Sequence, residues 1–226
     1  GARGDRAGAA AARRASGRRR GGVLVDGRIG EVIEATTTEF IAESYVLHQA
    51  PSLGALVRVS DREYDIYALT GLVSTTSIDP GRRPVARGQS ESSPEALYAH
   101  NPELASLLRT EFHCLIVGHR PVGAPAIRHY LPPRPPQIHG FVYPCTPEEL
   151  RAFTSRLDFL PALLEAPPRF PVDELVAACL RQASRVHPDP LAFCLAAGRR
   201  LALLLTDQPA RLTALLARLK PEGGEP

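Results

Sequence analysis

Ala55-Leu56-Val57-Arg58-Val59-Ser60-Asp61-Arg62-Glu63-Tyr64-Asp65-Ile66-Tyr67-Ala68-Leu69-Thr70-Gly71-Leu72-Val73 is the stretch on which the fold turns. Two runs rich in β-branched and aromatic residues flank a polar break at Asp61-Arg62, and Gly71 punctuates the second run. That is the composition of paired strands joined by a turn. Upstream, Pro51 to Gly54 reads as another turn, and Thr36 to Leu47 repeats the strand composition. Further back, Val23-Leu24-Val25 and Gly30-Glu31-Val32-Ile33 flank Asp26-Gly27, the dipeptide of tight hairpins. Downstream come Glu111 to Gly118, a proline-stiffened connector at Leu131-Pro132-Pro133-Arg134-Pro135-Pro136, and a last strand in His139 to Tyr143. Short strands at close spacing indicate a small barrel or sandwich over residues 23–146.

An insert at 74–109 interrupts the strands. It opens polar and Gly/Pro-punctuated, and then Ser93-Pro94-Glu95 and Asn101-Pro102-Glu103 each put a capping side chain before a proline. Two short helices are expected there. At Thr146-Pro147-Glu148-Glu149 a capping box opens a different regime. Beyond it, Leu175, Val176, Cys179, Leu180 and Ala183, then Leu191, Cys194 and Leu195, then Leu212, Leu215, Leu216 and Leu219 recur at helical spacing. Residues 147–226 are therefore expected to be all-helical, and the chain as a whole to be of the α+β class.

Charge divides the chain differently. Of 226 residues, 27 are basic and 24 acidic, for a net +3. Residues 1–22 hold seven of the basic side chains and one of the acids, which leaves 20 basic against 23 acidic groups in the rest. This Arg/Ala/Gly-rich tail has too little apolar surface to order itself. Arg13, Arg14, Arg18, Arg19 and Arg20 would suit nucleic-acid phosphates in a salt-sensitive, sequence-independent way. The same composition suits an organellar transit segment, or a plain unstructured extension.

Several chemistries are excluded or unsupported. Lys220 is the one lysine and Pro221 follows it, so the chain lacks a Walker loop and is not by itself a P-loop ATPase. No nucleophile elbow, zincin helix or dinucleotide fingerprint occurs. His113, Cys114, His119, His129, His139 and Cys145 cluster in sequence and are zinc-ligand types, but without finger spacing; surface or half-buried side chains are the plainer reading. Asp65, Glu111, Asp158 and Asp173 are scattered, with nothing to pair them for acid–base work. No cofactor is expected, and no enzyme activity. Four cysteines without a C-x-x-C pair, and no apolar run long enough to span a membrane, place the chain in a reducing, cytoplasmic setting, or an organelle if residues 1–22 are a transit remnant.

Three groups of residues resemble a known family. Ile29-Gly30-Glu31-Val32, Leu53-Gly54-Ala55-Leu56-Val57 and Leu69-Thr70-Gly71-Leu72-Val73 are similar to the HAS barrel, the small β-barrel that heads HerA-type DNA-translocating ATPases and the hexameric subunits of rotary ATP synthases. Leu115-Ile116-Val117-Gly118, the proline-rich connector and Phe141-Val142-Tyr143-Pro144 extend the likeness across residues 23–146. The chain departs from the pattern at Ala68, where the family often has Gly, and in its long insert. The resemblance implies a closed barrel serving assembly and docking. In the family an ATPase domain follows; here a helical segment does, and no ATPase residue can be carried over. What the resemblance implies is a stand-alone, non-catalytic adaptor whose protein partner is a separately encoded ATPase or its own oligomer. Nucleic-acid binding through the tail and a basic barrel patch at Arg82, Arg83 and Arg87 stays open as a second class, and a metal protein or enzyme at the 113–145 cluster as a third.

Overall fold

The computed structural model describes residues 26–79 and 81–219. The strand expected at Val23-Leu24-Val25 and the five tail arginines lie outside the described residues. Six strands follow: β1 (Gly30–Ala35), β2 (Glu39–Ser44), β3 (Leu56–Ser60), β4 (Tyr64–Ser77), β5 (Leu108–Pro121) and β6 (Phe141–Pro144). They close into a barrel in the order β1-β2-β5-β4-β3-β6. Every pairing is antiparallel. The short β6 is the closing piece. Val142 lies opposite both Gly30 of β1 and Val59 of β3, so four residues seal two edges that would otherwise offer free backbone groups.

Local sequence explains most boundaries. β2 is shorter than the Thr36–Leu47 run, because Thr36 Oγ1 accepts from the Thr38 and Glu39 amides and turns the chain before the strand. At its far end the Ser44 hydroxyl donates to the Val46 carbonyl at 3.0 Å and closes it. β4 and β5 run further than expected. Thr75 pairs with Thr110 and Ser77 with Leu108, so the ladder takes up both ends of the 74–109 stretch and leaves 78–107 as the insert. Its two helices form, α1 (Pro94–His100) and α2 (Glu103–Ser106). Ser93 caps α1 by accepting from Ala96 N at 3.2 Å. Asn101 does not cap α2; its Nδ2 donates to the Leu97 carbonyl and finishes α1 instead.

Beyond the barrel come α3 (Pro147–Thr154), α4 (Leu160–Leu164), α5 (Val172–Ser184), α6 (Pro190–Leu204) and α7 (Pro209–Arg218). The capping box forms in both directions, Glu149 N to Thr146 Oγ1 and Thr146 N to Glu149 Oε2. Among the described residues no helix is long and apolar enough to cross a membrane.

Two cores result. Val32, Phe40, Val59, Ile66, Phe112 and Val142 fill the barrel interior. Leu56, Tyr67, Leu69, Leu115 and Val117 point outward and are covered by Phe153, Leu160, Leu163, Leu175 and Leu180 of the helices. β4 is thus buried on both faces from Ile66 to Gly71, which is why its sequence runs apolar instead of alternating. Gly54 and Gly71 permit the close fit. An added Cβ on Gly54 would stand 2.6 Å from the Cys179 amide in α5, and one on Gly71, at a bulge in β4, would penetrate the Phe170 ring.

Candidate functional site

The histidines and cysteines between 113 and 145 do not converge. Neighbours on a strand face opposite ways, and here Cys114 points into the barrel while His113 faces out. Cys114 lies 3.8 Å from the Thr70 hydroxyl, and burial pushes its thiol up to about 12. His119 is fully buried; its Nδ1 donates to the Tyr130 carbonyl at 3.1 Å, and its ring meets Tyr64 and Tyr130 edge-on. His129 packs against Phe153 and Phe159, and burial lowers its pKa. His139 is exposed, in the left-handed region at φ 66, and pairs with Glu31. The Cys145 thiol sits by the helical core, raised first by burial and then by the Glu149 charge. Thiols raised in this way stay protonated and are poor nucleophiles. Among the described residues no three His, Cys, Asp or Glu side chains stand where they could hold one metal ion.

The scattered carboxylates are each taken by arginine, a partner type that acid–base reasoning does not look for. Glu111 lies 2.9 Å from Arg109, Asp173 pairs with Arg211, and Asp158 meets Arg156 and Arg200. Asp65 is the most elaborate. It accepts from Ser60 Oγ at 2.6 Å, from Arg120 Nη2 at 2.6 Å and from Arg58 Nη1 at 3.3 Å. Arg58 Nε in turn lies 3.0 Å from Glu149 Oε1, so the network ties β3, β4 and β5 to the first turn of α3. Burial alone would raise the Asp65 carboxyl, but the Ser60 and Arg120 hydrogen bonds and the two guanidinium charges outweigh it and hold the group below its ordinary range. The Tyr67 hydroxyl lies fully buried nearby without a hydrogen-bond partner among the described residues, and burial raises it to about 12. This junction ties strands to helix; its charged groups pair with one another.

What the molecule offers outward is of another kind. α6 buries Phe193, Ala197 and Leu201, yet Leu191, Leu195 and Leu203 on its other side are 70%, 53% and 72% exposed. Leu191, Leu195, Arg199 and Leu203 follow one row at four-residue spacing, with a single charge among them. A helix apolar all round is characteristic of a buried helix, and here half of it faces solvent. On the barrel wall, Glu31 lies directly across from Glu43, and Glu43 from Glu111, giving three carboxylates abreast on β1, β2 and β5. Of the three, Glu31 pairs with His139 and Glu111 with Arg109. Arg82, Arg83 and Arg87 are exposed along the insert, away from these strands in sequence and beside an apolar groove.

No protein-family model matches the sequence, and no curated protein matches it.

Proposed function

We propose that this chain is a non-catalytic assembly or adaptor protein built on a HAS-like barrel, with a separately encoded HerA-type DNA-translocating ATPase or further copies of itself as its partner. The exposed apolar row of α6 carries the reading. Contiguous exposed apolar surface on a folded domain marks a protein interface. The HAS resemblance supports it independently, since in that family the barrel is a docking module and the ATPase work is done elsewhere. Four free thiols among the described residues fit a reducing, cytoplasmic compartment.

The experiment is size-exclusion chromatography with light scattering, on the chain alone and mixed with the HerA-type ATPase of the source organism. Self-assembly or co-elution is expected, and Leu195→Glu with Leu203→Glu should abolish it while leaving the circular dichroism unchanged. A strictly monomeric chain that ignores the ATPase would overturn the reading. So would saturable turnover of ATP lost on a point substitution within residues 23–146.

The charge of residues 1–22 favours one further reading, nucleic-acid binding through Arg13, Arg14, Arg18, Arg19 and Arg20. Deleting these residues should then remove low-salt DNA or RNA binding, whereas undiminished binding would move the contact to the folded part.

A further inference from the structure

The insert at 78–107 is built around apolar side chains that it does not bury. Neither α1 nor α2 has a buried residue. Val85 is 68% exposed and Leu107 52%, and between them Leu97, Tyr98 and Leu104 form the floor of a groove of about 180 Å³. The rim is basic. Arg82 stands 3.6 Å from Asp79 with both side chains open to solvent. Among the described residues Arg83 and Arg87 have no ion-pair or hydrogen-bond partner. Apolar floor and unpaired guanidiniums together specify a ligand that brings both leucine-like side chains and carboxylates.

We infer that this groove receives an acidic, apolar-anchored segment of a protein partner. Its apolar side chains seat between Val85 and Leu107, and its carboxylates meet Arg83 and Arg87. The inference rests on the assembly reading and names the chemistry of one partner contact. Single-stranded nucleic acid suits the groove less well, because it binds by stacking successive bases on aromatic faces. Among the described residues Tyr98 is the one aromatic ring lining the groove, and it is engaged by His48, with ring centroids 5.9 Å apart and its hydroxyl 3.2 Å from His48 Nε2. The chain's own residues 220–226 do not qualify either: they carry Glu222 and Glu225 but no apolar anchor. Apolar anchors with acids on their flanks match this lining.

The test is to pan a displayed library of random peptides on the immobilised full chain, then measure the enriched peptides by fluorescence polarisation. Enriched peptides should place Asp or Glu beside leucine-type residues, and their binding should weaken as salt rises. Arg83→Glu with Arg87→Glu should weaken it about tenfold, and Val85→Asn should weaken it with the charge of the rim unchanged. These positions are exposed, so an unchanged unfolding midpoint verifies that each variant is folded. Enriched peptides without acids, affinities indifferent to the three substitutions, or displacement by oligo-dT at equal affinity would each overturn the inference. The α6 variants read the assembly separately: if assembly responds to Leu195→Glu while the groove selects no acidic peptide, the inference alone falls. If assembly ignores α6 while acidic peptides bind the groove, the assembly reading falls.

Discussion

Gly54 adopts φ 76 with its Cα against the backbone of α5, and both conditions bear on a single missing methyl. Alanine there must take a left-handed conformation and push into the Cys179 amide. Gly54→Ala is expected to lower stability by about 2 kcal/mol, read by urea denaturation, with most of the loss due to the displaced helix. A cost of only a few tenths would show that the loop simply moves away. Asp65 is the second residue whose role is set by its neighbours. Asp65→Asn should cost about 2 kcal/mol near neutral pH, because two arginines lose a charged acceptor. Its folded pKa is depressed, so the stabilisation is present above the ordinary carboxylate value of about 4 and disappears as pH falls through the lower folded value. Denaturation of wild type and variant at stepwise lower pH should therefore give converging midpoints. A gap that stayed constant would place the loss in packing, not in the charge. Asp65 was visible in the sequence only as an isolated carboxylate, since Arg58 and Arg120 reach it through strand register and not through spacing.

The start of α3 is where element and packing meet. Glu149 uses one carboxylate oxygen to close the capping box on the Thr146 amide and the other to hold Arg58 of β3. Loss of the cap alone, Thr146→Ala, should cost about 1 kcal/mol. Glu149→Ala should cost more, because it also releases α3 from the barrel. A double-mutant cycle between Glu149→Ala and Arg58→Ala measures that extra part, and zero coupling would reduce the contact to a surface ion pair. The box itself was legible, because Thr146-Pro147-Glu148-Glu149 is a local pattern whose partners sit three residues apart. Asn101, also a capping residue before a proline, bonds backwards instead. A residue between two helices has both an N-terminus and a C-terminus within reach, and here the Leu97 carbonyl took the side chain.

At the scale of the molecule, the barrel interior and the barrel–helix interface are separate cores that share β3, β4 and β5 as a common wall. A chain truncated after Cys145 keeps all six strands but uncovers Leu56, Tyr67, Leu69, Leu115 and Val117. It should retain β-type circular dichroism while binding a hydrophobic dye and associating. Truncation after Leu131 removes β6, opens β1 and β3 at once, and should leave no cooperative unfolding transition. If the shorter chain unfolded as sharply as the longer one, β6 would not be the closing element.

Composition and local pattern were enough to place strands before Thr146 and helices after it, because capping, turn chemistry and apolar period act over a few residues. The strand segments and the two helices of the insert were readable on the same ground. Strand order was not: β2 meets β5 across about 70 residues of chain, and nothing in either strand encodes the other except a face to bury. The candidate ligands from His113 to Cys145 looked like a cluster because they were close in sequence. Alternation along β5 and the path of the connector then dispersed them, one into the barrel, one against Phe153 and one to solvent. The outer face of α6 and the groove of the insert became recognisable only with the fold, since an apolar residue in a helix states that it is to be covered and only packing decides which ones are left uncovered.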